Sequence, residues 1–233
     1  CSRLLVLGAG QLLDIDLSVL LDRCQTVHLY DADPSCARVW RKHAADHYGK
    51  RVFGHHADCT ETLADWSSGL KHALRGNDLR RFLESCRAPI PTWSEAEYDG
   101  IISLNLLGQI PLYWRDRVCA AKAAMSDDEW FSLGRSMEVL QMAHLEGIWK
   151  MKDAWSILIT DTEYYFYDTD HSNWRVESAL FGDVQARIMG KYRKPTPHDA
   201  WFWHVSPQYV ECDDEGEIHR VEAFSSHAGR TTA

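Results

Sequence analysis

The residues with the clearest chemical role follow two apolar runs. The first run leads into glycines, and the second ends on a carboxylate. Leu4-Leu5-Val6-Leu7 leads into Gly8-Ala9-Gly10, and a second apolar run, starting at Val27, ends on Asp31. Glycines at a strand-to-helix turn let the backbone approach a ligand, and an acid at the end of the next strand accepts hydrogen bonds from ribose hydroxyls. The spacing therefore predicts a pocket for an adenosine-containing ligand.

Polar side chains near the ends of two later apolar runs are candidates for contact with a second molecule. In an open α/β sheet, ligands bind at the carboxyl ends of the strands. By that rule the substrate-side candidates are Asn105, Gln109, Tyr113 and Asp161. Asn105 and Gln109 could instead cap the following helix, and Asp161 could be a solvated loop acid.

The histidines predict no metal site. His43 and His47 are spaced i, i+4, which can place two imidazoles on one helix face. The chain has 12 histidines, so such a spacing is expected by coincidence, and no third ligand follows at a recognisable distance. No G-x-S-x-G turn follows a strand, which argues against a Ser-His-Asp hydrolase.

The elements that must position these residues alternate between strands and helices. Apolar runs predict strands at residues 3–8, 26–30, 51–54, 98–104 and 155–161. One helix is predicted after Gly10, where Leu13 begins a stripe of leucines at helical spacing, and another after an Asp33-Pro34 cap. Two more are predicted at residues 63–74 and 79–86, and a further helix begins at a capping box formed by Ser126 and Glu129. Two further strands at residues 200–205 and 218–224, with an acidic turn at 213–216, predict an antiparallel hairpin.

Five β-α units followed by such a hairpin resemble a class I S-adenosylmethionine-dependent methyltransferase. The resemblance implies an α/β fold with a Rossmann-like, doubly wound, mostly parallel sheet that ends in an antiparallel β-hairpin. It also implies S-adenosyl-L-methionine as the cofactor. It covers nearly all of the chain.

The resemblance also implies roles for individual residues. Gly8, Ala9 and Gly10 would lie against the methionine part of the cofactor, and Asp31 with Ala32 would hold the ribose. Asp58 and Cys59 would meet the adenine, Leu104 and Asn105 would approach the transferred methyl, and Asn105 or Asp161 would orient or deprotonate the acceptor. Gln109, Tyr113 and Tyr164 are the side chains expected on the substrate side.

One departure from the family pattern keeps other functions open. The third glycine of the family's G-x-G-x-G motif is Leu12 here. The same segment approximates the fingerprint of an NAD(P)-dependent oxidoreductase, but Leu13 stands where that fingerprint needs Gly or Ala. A non-catalytic domain that binds a partner through its aromatic surface is the remaining alternative.

The composition limits the kinds of molecule that this chain is expected to bind. The 233 residues carry a formal charge of −9, which disfavours an extended nucleic-acid footprint, and no apolar run is long enough for a membrane helix. We therefore expect a small-molecule or protein substrate, one domain over residues 1–233, and a cytoplasmic protein with free cysteines. A homo-oligomer remains open, as does a missing segment before Cys1.

Overall fold

In the described part of the chain, eight strands form one mixed sheet, in which the first five strands run parallel. The computed structural model describes residues 1–45, 47, 49–168, 173–193, 195–206 and 215–226. The strands are β1 (Arg3–Leu7), β2 (Thr26–Asp31), β3 (Val52–His56), β4 (Gly100–Leu104), β5 (Trp155–Asp168), β6 (Trp174–Ser178), β7 (Ala200–Ser206) and β8 (Glu215–Ser226). They follow the order β3-β2-β1-β4-β5-β8-β7, with β1 to β5 parallel.

The remaining strands continue the sheet in the antiparallel sense. β8 pairs with the whole length of β5, β7 pairs with β8, and β6 takes the edge of β5 beyond the end of β4. The fold class predicted from the sequence is therefore confirmed, including the C-terminal hairpin of β7 and β8. Residues 213 and 214 of the predicted turn lie outside the described residues.

The described part of the chain contains seven α-helices, and most of them cover the two faces of the sheet. They are α1 (Leu17–Arg23), α2 (Cys36–His43), α3 (Leu63–Arg75), α4 (Leu79–Ser85), α5 (Leu106–Ala121), α6 (Asp127–Lys150) and α7 (Val184–Lys191). Both faces of β1 are covered: Leu4 and Val6 join a core with α1 and α2, whereas Leu5 and Leu7 join a core on the opposite face. Burial on both faces explains why this strand is apolar from Leu4 to Leu7.

Three predicted boundaries are wrong, for identifiable reasons. The first helix begins at Leu17 rather than after Gly10, because Asp16 accepts hydrogen bonds from the backbone of Ser18 and Val19, and Leu13 is left 86% exposed. The second helix begins after Ser35, since the Asp33 carboxylate accepts the backbone N–H of Ser35 in a tight turn before it. Strand β5 continues past residue 161, because β6 and β8 supply new partners there.

The cysteines depart from the expectation in one place. Cys36, Cys59 and Cys86 are free and buried, as expected for small core residues. Cys1 and Cys24 form a disulfide that joins the start of the chain to the end of α1, so the expectation that every cysteine is free is wrong. A search of the described residues for a helix long and apolar enough to cross a bilayer finds none.

Candidate functional site

The glycine turn after β1 is held in place by backbone contacts. Gly8 has φ +72°, and a Cβ atom there would lie 2.5 Å from the carbonyl oxygen of Leu104. Its N–H donates to the carbonyl of Tyr30 at 2.9 Å, and the carbonyl of Gly10 accepts the indole N–H of Trp40 at 2.7 Å. Only glycine fits at Gly8, because any side chain would collide with the end of β4.

Leu12 occupies a glycine-like conformation although it is not a glycine. Its φ is +62°, in the left-handed region that disfavours a branched side chain. The turn thus keeps the backbone path that a third glycine would adopt, at a cost of about 1 kcal/mol in backbone strain. The side chain is partly buried against the core formed with α1 and α2, which offsets that strain.

Asp31 fastens the glycine turn to the end of β2. One carboxylate oxygen accepts the N–H of Gly10 at 2.9 Å, and the other accepts the N–H of Asp33 at 2.9 Å. Each oxygen retains a further lone pair, since a carboxylate offers about four acceptor positions. The carboxylate is therefore fixed in orientation while it can still accept ligand hydroxyls.

Asp58 is engaged in capping the start of α3. One oxygen accepts the N–H and hydroxyl of Thr60 at 2.8 and 2.7 Å, and the other accepts the N–H of Leu63 at 3.0 Å. The neighbouring Cys59 is buried, and burial raises the pKa of its thiol to about 12. This thiol is consequently protonated and unreactive at neutral pH.

A cleft of about 790 Å³ opens beside these acids, between α3 and α5. A cavity of this size suits a ligand of the dimensions of a nucleoside with a substituent. It is bounded by the end of β2, the loop after β3 and one side of each helix. Its lining residues are Asp31, Ala32, Asp33, Asp58, Cys59, Leu63, Ala64, Ser67, Ser68, Lys71, Leu106, Gln109, Ile110, Tyr113 and Arg117.

The cleft brings together six of the residues singled out from the sequence. They are Asp31, Ala32, Asp58, Cys59, Gln109 and Tyr113. The glycine turn does not line the cleft, but it contacts Asp31, which does. The carbonyl oxygen of Leu104 lies close to Gly8. Asn105, Asp161 and Tyr164 do not line this cleft.

Asn105 precedes α5 in a left-handed backbone conformation. Its φ is +53°, its N–H donates to the carbonyl of Ile159 at 2.7 Å, and its side-chain oxygen is buried without a hydrogen-bond partner among the described residues. Left-handed asparagine costs little, because its short polar side chain tolerates this region. The residue therefore joins the ends of β4 and β5, and its amide oxygen retains an unused acceptor position.

Asp161 and Tyr164 belong to a buried acid–histidine cluster with Glu217 and His219. Asp161 is 1% exposed, and its carboxylate lies 3.4 Å from Nδ1 of His219, whose Nε2 lies 2.8 Å from Glu217. The ring of Tyr164 lies 4.5 Å from the ring of His219, and burial raises the pKa of its hydroxyl. Burial alone would lower the pKa of His219, but Asp161 and Glu217 together raise it above its ordinary value. The two carboxylates therefore favour the protonated form of the imidazole that lies between them.

A glycine in α5 makes room for this cluster, which gives a testable expectation. A Cβ at Gly108 would lie 3.0 Å from Oδ2 of Asp161 and 3.1 Å from the Tyr164 hydroxyl, which donates to the Gly108 carbonyl. We expect Gly108→Ala to lower the free energy of unfolding by about 1–2 kcal/mol in urea titrations, because overpacking outweighs the gain in helix propensity. The matched control is Gly134→Ala in α6, where a Cβ meets nothing within 4 Å. It should stabilise by about 0.5–1 kcal/mol, and equal effects at the two sites would contradict the close packing.

The sequence did not point to the basic end of the cleft. Ser67 and Lys71 from α3 and Arg117 from α5 line it alongside Tyr113. The only signal was the i, i+4 spacing of Ser67 with Lys71 and of Tyr113 with Arg117, which places each pair on one helix face. Which face meets the other helix is decided by packing across residues distant in sequence.

Comparison with known proteins identifies similar folds only among solved structures. No protein-family model matches the chain, and no curated protein matches its sequence. An rRNA methylase from Streptococcus thermophilus aligns over 94% of this chain and 86% of its own, with 10% identity and a TM-score of 0.37. A putative RNA methyltransferase from Pyrococcus horikoshii aligns over 96% and 72%, with 11% identity and a TM-score of 0.41. A putative methyltransferase from Streptococcus mutans, in complex with SAH, aligns over 94% and 89%, with 10% identity and a TM-score of 0.35. The order and direction of the eight strands define the fold class of this chain.

Proposed function

We propose that this chain binds S-adenosyl-L-methionine and transfers its methyl group to a small molecule or a protein side chain. The observation that carries the proposal is the Asp31 carboxylate. It stands at the carboxyl end of β2, is oriented by the N–H groups of Gly10 and Asp33, and faces a cleft of nucleoside dimensions. This is the position in which an open α/β sheet holds a ribose.

The residues around the cleft fit an adenosine. Asp31 accepts the ribose hydroxyls, and Leu63, Leu106 and Ile110 provide apolar contact for a purine ring. The engagement of Asp58 with the start of α3 leaves it a weaker acceptor for the adenine amino group. The glycine turn gives a bound amino-acid tail close access to the backbone, and Leu104 and Asn105 lie at the end of β4, beside the reacting end.

The chemistry demanded of the protein is mostly alignment. The cofactor supplies an electrophilic methyl group on a sulfonium. The chain's part is to hold an acceptor in line with that carbon and to exclude water. Asn105 has an unused amide oxygen suited to orienting an acceptor N–H or O–H. Asp161, the other candidate, is buried beside His219 and does not line the cleft, which makes it a poor general base for the acceptor.

Ligand-induced stabilisation tests the proposal against its alternatives. The melting temperature is measured with S-adenosylhomocysteine, with NADH and without ligand. A ligand at a hundred times its Kd adds about 2.7 kcal/mol to the free energy of unfolding. We expect S-adenosylhomocysteine to raise the melting temperature and NADH to leave it unchanged. Stabilisation by NADH alone would favour an oxidoreductase, and no stabilisation by either would favour a non-catalytic binding domain.

A further inference from the structure

The far end of the cleft differs in charge from the end at the sheet. α3 and α5 both begin at the carboxyl edge of the sheet, and each presents a row of residues spaced by one turn. The rows are Leu63, Ser67 and Lys71 on α3, and Gln109, Tyr113 and Arg117 on α5. From the first to the last residue of either row is roughly 12 Å along the helix axis. The cleft thus has an acidic end at Asp31 and a basic end at Lys71 and Arg117.

The cations at the basic end have no acidic partner. Neither Lys71 nor Arg117 forms an ion pair with any residue that the structure describes, whereas Arg80 and Arg115 do. The acids lie at the other end of the cleft, and salt screens exposed charges over a Debye length of about 8 Å.

Arg117 is held in a defined position in spite of its exposure. Its Nε donates to Oγ of Ser67 at 3.0 Å, and the Ser67 hydroxyl donates in turn to the carbonyl of Leu63 at 2.6 Å. Its guanidinium carbon lies 5.9 Å from the ring centre of Tyr113. Its Nη1 also donates to the Tyr113 hydroxyl at 3.5 Å, so the side chain is fixed through Nε, Nη1 and the aromatic ring. This arrangement leaves Nη2 to donate to an anion.

We propose that the basic end of the cleft binds an anionic group, a carboxylate or a phosphate, carried by the methyl acceptor. The inference rests on the proposed function, because a cofactor with its ribose at Asp31 fills only the acidic end. The acceptor then lies along α5, from Gln109 beside the reacting end to Arg117. Lys71 contributes charge from the opposite wall, and Ser67 is a positioning residue that keeps Arg117 turned toward the ligand.

Calorimetric titration with simple anions tests this inference. Pyrophosphate and citrate are titrated separately into the protein saturated with S-adenosylhomocysteine and into the protein alone. The variant is Lys71→Gln/Arg117→Gln, and the control is Arg41→Gln/Lys42→Gln, which removes the same charge from an exposed part of α2. We expect one saturable site, at least a tenfold rise in Kd for the cleft variant, and less than a twofold change for the control.

The outcomes separate this inference from the proposed function. Tighter binding of pyrophosphate than of citrate assigns a phosphate-bearing acceptor, and the reverse assigns a carboxylate. If S-adenosylhomocysteine binds but no anion does, or if both variants lose affinity equally, the inference is overturned and the proposed function stands. If the anions bind but S-adenosylhomocysteine does not, the proposed function fails and the assignment of this site to an acceptor fails with it.

Ser67→Ala should raise the anion Kd severalfold while leaving the melting temperature unchanged, and an unchanged Kd would contradict its positioning role.

Discussion

Replacing Asp31 with alanine should remove most of the affinity for S-adenosylhomocysteine. The carboxylate both fastens the turn at Gly10 and accepts the ribose hydroxyls in the proposed complex. Hydrogen bonds to a charged group contribute about 1.5–3 kcal/mol each, so the loss of two predicts a rise in Kd of at least a hundredfold. Isothermal titration calorimetry measures this change directly.

Two variants make the Asp31 experiment specific. Asp33→Ala removes the same charge from the same end of the cleft but leaves the turn at Gly10 intact, so we expect a change in Kd of less than threefold. Asp31→Asn keeps the shape and one acceptor oxygen, so its affinity should fall between those of the wild type and Asp31→Ala. A folded Asp31→Ala protein that binds as tightly as the wild type would show that the ribose is not held there.

Replacing His219 with leucine should be the most destabilising single change in the antiparallel part of the sheet. The substitution leaves the carboxylate of Asp161, which is 1% exposed, without its cation. Removing one partner of a buried ion pair costs about 3–5 kcal/mol, and we expect that loss in the free energy of unfolding measured in urea. His198→Leu, at an exposed histidine, should change stability by less than about 0.5 kcal/mol.

A double variant and the pH dependence distinguish charge balance from simple packing. In Asp161→Leu/His219→Leu the unpaired charge is gone, so stability should recover most of the loss.

Because the folded pKa of His219 is raised above 6.5, its contribution to stability is full below that pH and disappears as the pH rises through the folded pKa. The wild type should therefore lose stability relative to His219→Gln as the pH rises above 6.5. Parallel pH profiles would contradict the assigned protonation.

The part of the fold that could be predicted from the sequence is the part encoded by local pattern. β1 is buried on both faces and reads as an unbroken apolar run, and the capping box at Ser126 marks the start of α6. Leu13 fitted the helical spacing of the leucines after Gly10, but Asp16 is the better cap, so the helix starts later. The position of Asp31 followed from its place at the end of a strand, since chain order alone puts it beside the glycine turn.

The contacts that were missed depend on residues distant in sequence. The pairing of Asp161 with His219 needs the antiparallel register of β5 and β8, in which Tyr164 lies opposite His219. The basic end of the cleft needs the packing of α3 beside α5, which brings Arg117 to Ser67 across 50 residues. Local spacing does not reveal which residues meet in either arrangement, because tertiary packing decides both.

A crystal structure of the complex with S-adenosylhomocysteine tests the central claim most directly. We expect the ribose hydroxyls to lie within hydrogen-bond distance of the Asp31 carboxylate. The purine should lie between α3 and α5, against Leu106 and Ile110. A ligand bound elsewhere, or one whose ribose makes no contact with Asp31, would contradict it.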